Sequence, residues 1–424
     1  MRRSIGTTTA AVAALALAVT ACGGGDGGDG GGGGAAADGE LSGTITYWDT
    51  SNETEAAVFK AIAEEFAAQH PGVTVDYVNI GFDDAQNRFK NAAAANEAPD
   101  VMRTEVAWVA DFASLGYLWP LDDTTALENQ EDFVPQAWAS TQYEGTTYAV
   151  PQVIDTLALF YNERLLADAG VEVPTTLEEV KASTGAFEGA GAVPMYMRGD
   201  DPYWFLPFLY GEGGDMVDAE GKQVTIDNEA GIAAFTQMKD MVDSGAAITD
   251  TSDGWENMMG SFTRGEVAMM INGPWAINDA VAGLGDDLGV APVPGGSAGQ
   301  AAPQGGWNYA IYAGTPEEES PAAFEFVKYM SSAATQQRIT EELSLLPTRT
   351  SVYEVESVQN NEMVQFFKPA VDVAHERPWI PQAQSLFDPI KENVQGLLIG
   401  SASPEEAAKS TGDAYRDILD DWLD

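Results

Sequence analysis

The chain has very little cysteine, histidine or basic side chain. One cysteine, Cys22, occurs among 424 residues, which excludes an intrachain disulfide and a cysteine-based metal cluster. The two histidines, His70 and His375, leave no histidine-rich zinc site. We therefore expect neither a cysteine- or histidine-based metal site nor a cofactor.

Basic residues are outnumbered by acidic ones. Lys and Arg total 20 against 66 Asp and Glu, for a formal net charge of −46. Such a surface repels phosphate backbones, so a nucleic-acid partner is not expected. It also opposes binding to anionic lipid through a basic face.

The first forty residues read as an export signal followed by a tether. After Arg2 and Arg3, an apolar run extends over 10–21, which is too short to span a bilayer and is typical of a signal peptide, here 1–21. The sequence Val19-Thr-Ala-Cys22 resembles a bacterial lipobox, which predicts that Cys22 becomes the lipid-modified N-terminus; an ordinary signal peptide is the alternative. The Gly-rich segment that completes 22–40 predicts a flexible tether with a reach of roughly 20–25 Å.

The remaining chain is long enough for at least two domains and alternates between two patterns. Short strand-like runs are predicted at 44–48, 73–78, 101–102 and 267–271. Amphipathic helices are predicted at 55–69, 83–96, from about 105, 228–244, 255–263, 276–282, 317–331, 385–400 and 403–420. Capping boxes are predicted at Thr176 and Ser403. The alternation favours parallel sheets with helices on both faces.

One stretch points to a binding edge. In Phe262 to Ala276 an apolar strand ends at Asn272-Gly273-Pro274, and Trp275 follows at once. In open α/β sheets, ligands bind outside the carboxyl ends of the strands. Trp275 is therefore a candidate contact, with packing between helix and sheet as the alternative.

Several motifs together resemble the solute-binding proteins of carbohydrate ABC transporters, the maltose/maltodextrin- and trehalose-binding group. They are Gly43-Thr-Ile-Thr-Tyr-Trp48, Ala98-Pro-Asp-Val101, Tyr148-Ala-Val-Pro151, Phe160-Tyr-Asn162, Phe262 to Trp275 and Gly305-Gly-Trp-Asn308. They occur in the family's order over 43–420, and the segment from Gly265 to Trp275 is the most specific.

The resemblance implies an α/β, two-lobed periplasmic-binding-protein-like fold of type II. Its lobes are discontinuous and joined by hinge crossovers. We expect a first lobe from 41–153 and 307–350, and a second from 154–306 and 351–424. Ligand is expected to hold the two lobes closed because it contacts both.

The resemblance also implies a sugar site of flat rings and carboxylates, which suit the apolar faces and hydroxyl rims of pyranoses. It assigns ligand contacts to these residues: Trp275, Tyr203, Trp307, Asp155, Asn52, Glu105, Trp108, Phe387 and Asp201. Phe387 stands where maltodextrin binders carry a tryptophan. Core packing is the alternative for each ring, and a solvated hinge carboxylate is the alternative for Asp155.

The function implied is that of a non-catalytic extracellular receptor for maltose, maltodextrin or a related α-glucoside. It is expected to act as a monomer on the outer face of the cell membrane and to deliver sugar to the transmembrane subunits of an ABC permease. The chain has no Gly-x-x-x-x-Gly-Lys-Ser/Thr phosphate loop, so ATP hydrolysis is expected elsewhere. An exported glycoside hydrolase, and the same receptor fold for another oligosaccharide or a polyol, are the alternatives.

The lipid anchor gives a direct test. Metabolic labelling of the full-length chain with a radioactive lipid precursor is expected to label the wild type and to leave Cys22→Ala unlabelled, because the chain has no other thiol. An unlabelled wild type, or equal label on both proteins, contradicts the prediction.

Overall fold

The computed structural model describes residues 41–423. The predicted signal peptide, Cys22 and the tether lie outside the described residues. Within 41–423, no helix has the length and apolar character needed to cross a membrane.

The strands of the described chain are short and are distributed along its length. In order they are β1 (Gly43–Asp49), β2 (Val73–Asn79), β3 (Val101–Glu105), β4 (Gln142–Tyr143), β5 (Thr146–Thr147), β6 (Ala149–Thr156), β7 (Ala158–Asn162), β8 (Val193–Arg198), β9 (Val217–Asp218), β10 (Gln223–Val224), β11 (Ala247–Asp250), β12 (Val267–Asn272), β13 (Leu288–Ala291), β14 (Ala302–Ile311), β15 (Leu346–Pro347) and β16 (Ala374–His375).

Helices fill most of the intervening chain. In order they are α1 (Glu53–Gln69), α2 (Phe82–Ala94), α3 (Trp108–Ser114), α4 (Pro135–Ala139), α5 (Glu163–Ala169), α6 (Leu177–Ala182), α7 (Thr184–Glu188), α8 (Leu206–Gly211), α9 (Glu229–Asp243), α10 (Gly254–Thr263), α11 (Ile277–Leu284), α12 (Ser320–Met330), α13 (Ala333–Leu343), α14 (Thr350–Tyr353), α15 (Glu356–Gln359), α16 (Glu362–Asp372), α17 (Phe387–Leu398), α18 (Pro404–Ile418) and α19 (Asp420–Leu423). Short 3₁₀ turns span Gln130–Asp132, Pro202–Phe205, Pro274–Ala276, Gly285–Asp287 and Ala383–Leu386.

Two sheets organise the molecule. The first has the strand order β15-β6-β14-β3-β1-β2, with β16 beside β14, and the second has the order β11-β8-β12-β7-β13. Strands joined through a helix pair in parallel, as β1 does with β2 and β8 does with β11. The fold is therefore the expected α/β class with two lobes.

The alternation of strands and helices predicts parallel sheets, but both sheets also contain antiparallel pairs. β14 runs antiparallel to both β3 and β6, and β7 runs antiparallel to both β12 and β13. The reason is connectivity, because β6 leads into β7 and β13 leads into β14 without a helix that returns the chain to the same edge of one sheet.

The chain passes between the two sheets more than once. It leaves the first sheet between β6 and β7, returns between β13 and β14, and after β15 places α16 on the second sheet, where the Phe367 and Phe160 ring centroids are 5.7 Å apart. The expected lobe boundaries at 153/154 and 306/307 fall inside β6 and β14. The lobe boundaries themselves stay a prediction.

The amphipathic helix predicted at 55–69 corresponds to α1, and its apolar face is buried. Phe59, Ile62 and Phe66 are at most 1% exposed, and Phe66 packs edge-on against Phe326 of α12 with centroids 5.3 Å apart. Burial of each such side chain stabilises the fold by about 1.5–3 kcal/mol. The capping boxes at Thr176 and Ser403 are both present, so these two helix starts are confirmed.

Other boundaries differ from the predictions. The helix expected from about Glu105 begins at Trp108, because Glu105 ends β3 and its Oε2 accepts a hydrogen bond of 2.8 Å from the Ala107 amide. The periodicity also left β6 and β14 unassigned. Pro151 lies inside β6, and Pro303 with two glycines lies inside β14, residues that normally interrupt a strand pattern.

Two single glycine-to-alanine substitutions, one in β14 and one control in α7, test the β14 backbone. Gly306 has φ +139°, and an added Cβ would lie 2.4 Å from the Val153 carbonyl oxygen, so we expect Gly306→Ala to destabilise the protein by about 1–3 kcal/mol. Gly185 in α7 has open space at that position, so Gly185→Ala is expected to be neutral or to stabilise by up to about 1 kcal/mol. Differential scanning calorimetry measures both; a wild-type melting temperature for Gly306→Ala would contradict the account.

Candidate functional site

Two adjoining cavities lie between the two sheets. The larger cavity, of about 730 Å³, is lined by residues that include Tyr203, Glu105 and Arg377. The smaller cavity, of about 440 Å³, is lined by residues that include Asn52 and Arg103. Both are lined by Phe82, Asp155, Trp275 and Trp307, so these four side chains mark where the cavities meet. The volumes are those of small-molecule sites.

Trp275 is placed by the end of a strand, as the sequence predicted. β12 ends at Asn272, and the 3₁₀ turn Pro274–Ala276 carries the half-buried indole to the cavities. Gly273 makes room for the ring, because a Cβ there would lie 2.2 Å from one of its atoms. The other side of the indole packs edge-on against Trp204, with centroids 6.4 Å apart.

Tyr203 is held at both ends. Its amide donates a hydrogen bond of 3.0 Å to Asp201 Oδ1, and its hydroxyl donates one of 3.1 Å to the carbonyl of Pro303 in β14. The ring centroid of Phe387, at the first position of α17, is 6.5 Å away. Tyr203, Asp201 and Phe387 all line the larger cavity.

Trp307 extends from β14 and is surrounded by other planar groups. The guanidinium carbon of Arg103 lies 4.0 Å from the ring centroid, a cation–π contact. Phe82 and Trp108 meet Trp307 edge-on at centroid distances of 5.6 Å and 6.2 Å.

Phe82 lines both cavities and Trp108 lines neither. Phe82 is 48% exposed and stacks on Trp108 at 5.4 Å, whereas Trp108 is 3% exposed. The indole of Trp108 therefore supports Phe82 from behind. Sequence reasoning missed Phe82; the available signal was a large apolar residue at the first position of a helix directly after a strand.

Arg377 is the second residue that the sequence did not reveal. It is 6% exposed, its Nε donates a hydrogen bond of 2.8 Å to the Gln304 carbonyl, and its Nη2 forms a short ion pair with Glu105. Glu105 is 272 residues away in sequence, so no local pattern could have paired the two. The pair removes Glu105 from the groups that are free to receive a ligand.

Asp155 is the central carboxylate of the site. It lies in β6 opposite Gly305 of β14, and a Cβ on Gly305 would stand 2.1 Å from Asp155 Oδ1 and 2.9 Å from the Tyr203 hydroxyl. The pKa of Asp155 is raised to about 7, chiefly by burial and secondly by the nearby charge of Glu105, against the opposing effect of Arg377 and Arg103.

Two further predicted residues, Asp201 and Asn52, each line one of the two cavities. Asp201 in the larger cavity lies 3.5 Å from Arg198 Nη1, and burial raises the pKa of this carboxyl. Asn52 in the smaller cavity caps α1 by accepting a hydrogen bond of 3.0 Å from the Glu55 amide.

The structure thus brings most of the predicted residues to one place. Those that line a cavity are Trp275, Tyr203, Trp307, Asp155, Asn52, Glu105, Phe387 and Asp201. Flat rings beside carboxylates provide apolar plates and strong hydrogen-bond acceptors, the chemistry that a pyranose requires. Their contact with ligand stays a prediction. Across 41–423, no group of three or more His, Cys, Asp or Glu is placed to hold a metal ion.

A serine motif outside the cavities lacks the setting of a nucleophile. Gly295-Gly-Ser-Ala-Gly299 fits Gly-x-Ser-x-Gly, but it lies in the loop between β13 and β14 rather than at a strand-to-helix elbow. Ser297 Oγ donates a hydrogen bond of 2.6 Å to Glu212 Oε2, and a carboxylate acceptor is not the histidine base of a serine hydrolase.

Comparison with known proteins agrees with this geometry. Residues 50–337 match the family of bacterial extracellular solute-binding proteins. The maltotriose-binding protein of Pyrococcus abyssi is 26% identical over 368 residues, which cover 84% of this chain and 78% of that protein.

Two solved structures extend the comparison. The GacH receptor of Streptomyces glaucescens, solved unliganded and with acarbose and an acarbose homolog, is 62% identical with a TM-score of 0.85 and covers 90% of this chain and 100% of its own. Maltose-bound MalE3 of T. maritima is 26% identical with a TM-score of 0.79. The match covers 89% of this chain and 100% of MalE3.

The pKa of Asp155 predicts a pH-dependent effect on stability. The folded value of about 7 exceeds the ordinary 3.8, so the folded state binds more protons between about pH 4 and 7, and the unfolding free energy falls as pH rises through that range. Asparagine cannot ionise. We therefore expect Asp155→Asn to be more stable than wild type at pH 8, by about 1–4 kcal/mol, and to lose that advantage near pH 4.

Chemical denaturation at pH 4 and pH 8 measures this difference. Asp388→Asn is the control, because it removes an exposed carboxylate of the same cavity, and its difference from wild type is expected to be the same at both pH values. A pH-independent effect of Asp155→Asn would contradict the assignment.

Proposed function

The chain belongs to the family of bacterial extracellular solute-binding proteins, and from that premise we propose that it captures an α-glucosidic oligosaccharide for an ABC permease. It is a binding protein and not an enzyme. The observation that carries the choice of ligand is that three rings from both sheets, Trp275, Tyr203 and Trp307, line the same larger cavity with Asp155.

The α-glucoside class is supported by what the similar proteins bind. The GacH receptor was solved with acarbose, MalE3 with maltose, and the P. abyssi relative is a maltotriose-binding protein. Acarbose is a four-ring analogue of a maltooligosaccharide, so these ligands share an α-linked chain of pyranose-like rings. We propose maltooligosaccharides and their pseudo-oligosaccharide analogues as the ligand class.

The proposed contacts follow from position. Trp275 and Tyr203 extend from the second sheet's side and Trp307 extends from the first, so a sugar held among them touches both lobes and favours the closed arrangement. Asp155, Asp201 and Asn52 are proposed to accept or donate hydrogen bonds at the hydroxyl rim. Specificity would arise because a missing hydroxyl leaves a desolvated partner unpaired.

The proposal also includes the location of the protein in the cell. Cys22 is proposed to carry a lipid that holds the monomeric receptor at the outer face of the cell membrane, and the Gly-rich segment of 23–39 gives the folded body reach toward the permease subunits. The sequence Val19-Thr-Ala-Cys22, which contains the single cysteine, supports this arrangement.

Removal of one ring tests the ligand site. We expect Trp275→Ala to weaken maltotetraose binding at least about tenfold, because the sugar loses an apolar plate worth more than about 1.4 kcal/mol. Isothermal titration calorimetry measures the affinity. Trp422→Ala is the control, since this half-buried tryptophan lines neither cavity, and its affinity is expected to equal that of wild type.

The recovered sugar distinguishes a receptor from a hydrolase. Chromatography of maltotetraose after overnight incubation with wild type should return it unshortened. Unchanged affinity in Trp275→Ala would show that this residue does not contact the ligand. Shortened sugar would contradict the assignment of the protein as a non-catalytic receptor.

A further inference from the structure

Among the half-buried carboxylates that line the two cavities, Asp155 differs from the others in lacking a basic partner. Arg198 forms a two-pronged pair with Asp200 at 2.9 Å and 2.8 Å and also approaches Asp201. Arg377 pairs with Glu105, and Arg103 lies 3.5 Å from Glu55. Within 41–423, no group forms a hydrogen bond or an ion pair with the Asp155 carboxylate. It is therefore available to a ligand.

Its position is interior rather than terminal. Asp155 lines both the larger and the smaller cavity, together with Trp275, Trp307 and Phe82. In an oligosaccharide that occupies both cavities, an interior part of the chain must therefore lie beside the Asp155 carboxylate. The group that meets Asp155 is thus a linkage between two rings or a hydroxyl beside that linkage.

We propose that Asp155 is a specificity-determining residue that makes the receptor prefer oligosaccharide analogues with a basic nitrogen in place of a linking oxygen. This inference rests on the proposed function, since it assumes that an α-glucoside or its analogue occupies the cleft. Acarbose, with a secondary amine between two of its rings, is the test ligand of this class, and maltotetraose is its neutral counterpart of four rings.

The preference follows from proton sharing. A carboxyl group and an amine together hold one proton, either as carboxylate and ammonium or as acid and free amine, and both forms make a hydrogen bond with a charged or strongly basic partner. A glycosidic ether oxygen is a weak acceptor and has no proton to donate. A hydroxyl beside it can donate a hydrogen bond to the carboxylate, but it brings no positive charge to the pair.

The surroundings strengthen this discrimination. Glu105 and Arg103 in β3, Glu55 in α1, Arg377 after β16 and the Tyr203 hydroxyl are the titratable groups that act on Asp155. Among them the two carboxylates oppose the two guanidiniums. Desolvation therefore remains the dominant influence on Asp155, and it raises the pKa of this carboxyl to about 7. A ligand that supplies compensating positive charge relieves that penalty, whereas a neutral sugar does not.

The experiment compares two ligands on three proteins. Isothermal titration of acarbose and maltotetraose at pH 7 uses wild type, Asp155→Asn and the control Asp240→Asn, whose exposed carboxylate in α9 lines neither cavity. We expect Asp155→Asn to lose about tenfold in affinity for acarbose and less than threefold for maltotetraose. The control is expected to keep the wild-type ratio of the two affinities.

A pH series supplies a second readout. Wild-type affinity for acarbose is expected to fall between pH 7 and 9, as the shared proton is lost from the pair, and Asp155→Asn is expected to show no such fall. Equal losses for the two ligands in Asp155→Asn, or a ratio that changes as much in Asp240→Asn, would overturn this inference while leaving the proposed function standing. Failure of wild type to bind either sugar would overturn both.

Discussion

The backbone ladder of β14 fixes the position of nearly every group on the floor of the cleft. Its pairing with β3 places Trp307 opposite Glu105, and its pairing with β6 places Gly305 opposite Asp155. β16 pairs with the start of the same strand and brings Arg377 to the Gln304 carbonyl, and the Tyr203 hydroxyl donates to Pro303. Five side chains that line the larger cavity and come from distant parts of the sequence therefore depend on one ten-residue strand. Gly305 is required because any side chain there would collide with the Asp155 carboxylate, and Gly306 is required because its φ is +139°.

Charge placement in the cleft is selective. The chain holds only 20 Lys and Arg against 66 acids, yet Arg103, Arg198, Arg377 and Lys391 all line the two cavities. Three of these bases form ion pairs with neighbouring carboxylates, which fixes the orientation of the acids and offsets their desolvation. Asp155 is left without such a partner. A buried charge without a partner opposes folding, so Asp155 lowers the stability of the fold, as the functional groups of binding sites commonly do.

Much of the fold could be predicted from local patterns. Periodicity located α1, α9 and α18 within two residues at their first turns, and the capping sequences at Thr176 and Ser403 identified two helix starts, because these signals depend only on nearby residues. Trp275 was predicted for the same reason, since a strand followed by a Gly-Pro turn places the next residue at the sheet edge. By contrast, β14 carries proline and glycines for reasons of tertiary packing, so its own composition concealed it. Arg377 and Phe82 are positioned by partners far away in sequence, so no local pattern could have revealed those contacts. The ligand contact predicted for Trp108 stays a prediction, and its indole packs behind Phe82.

A crystal structure of the protein with maltotetraose or acarbose soaked or co-crystallised tests the central claim most directly. The account predicts continuous ligand density between the two sheets, with pyranose faces against Trp275, Tyr203 and Trp307 and a polar atom of the ligand within hydrogen-bond distance of Asp155. Density at another surface, or rings of these three residues packed against protein with no sugar between them, would contradict it.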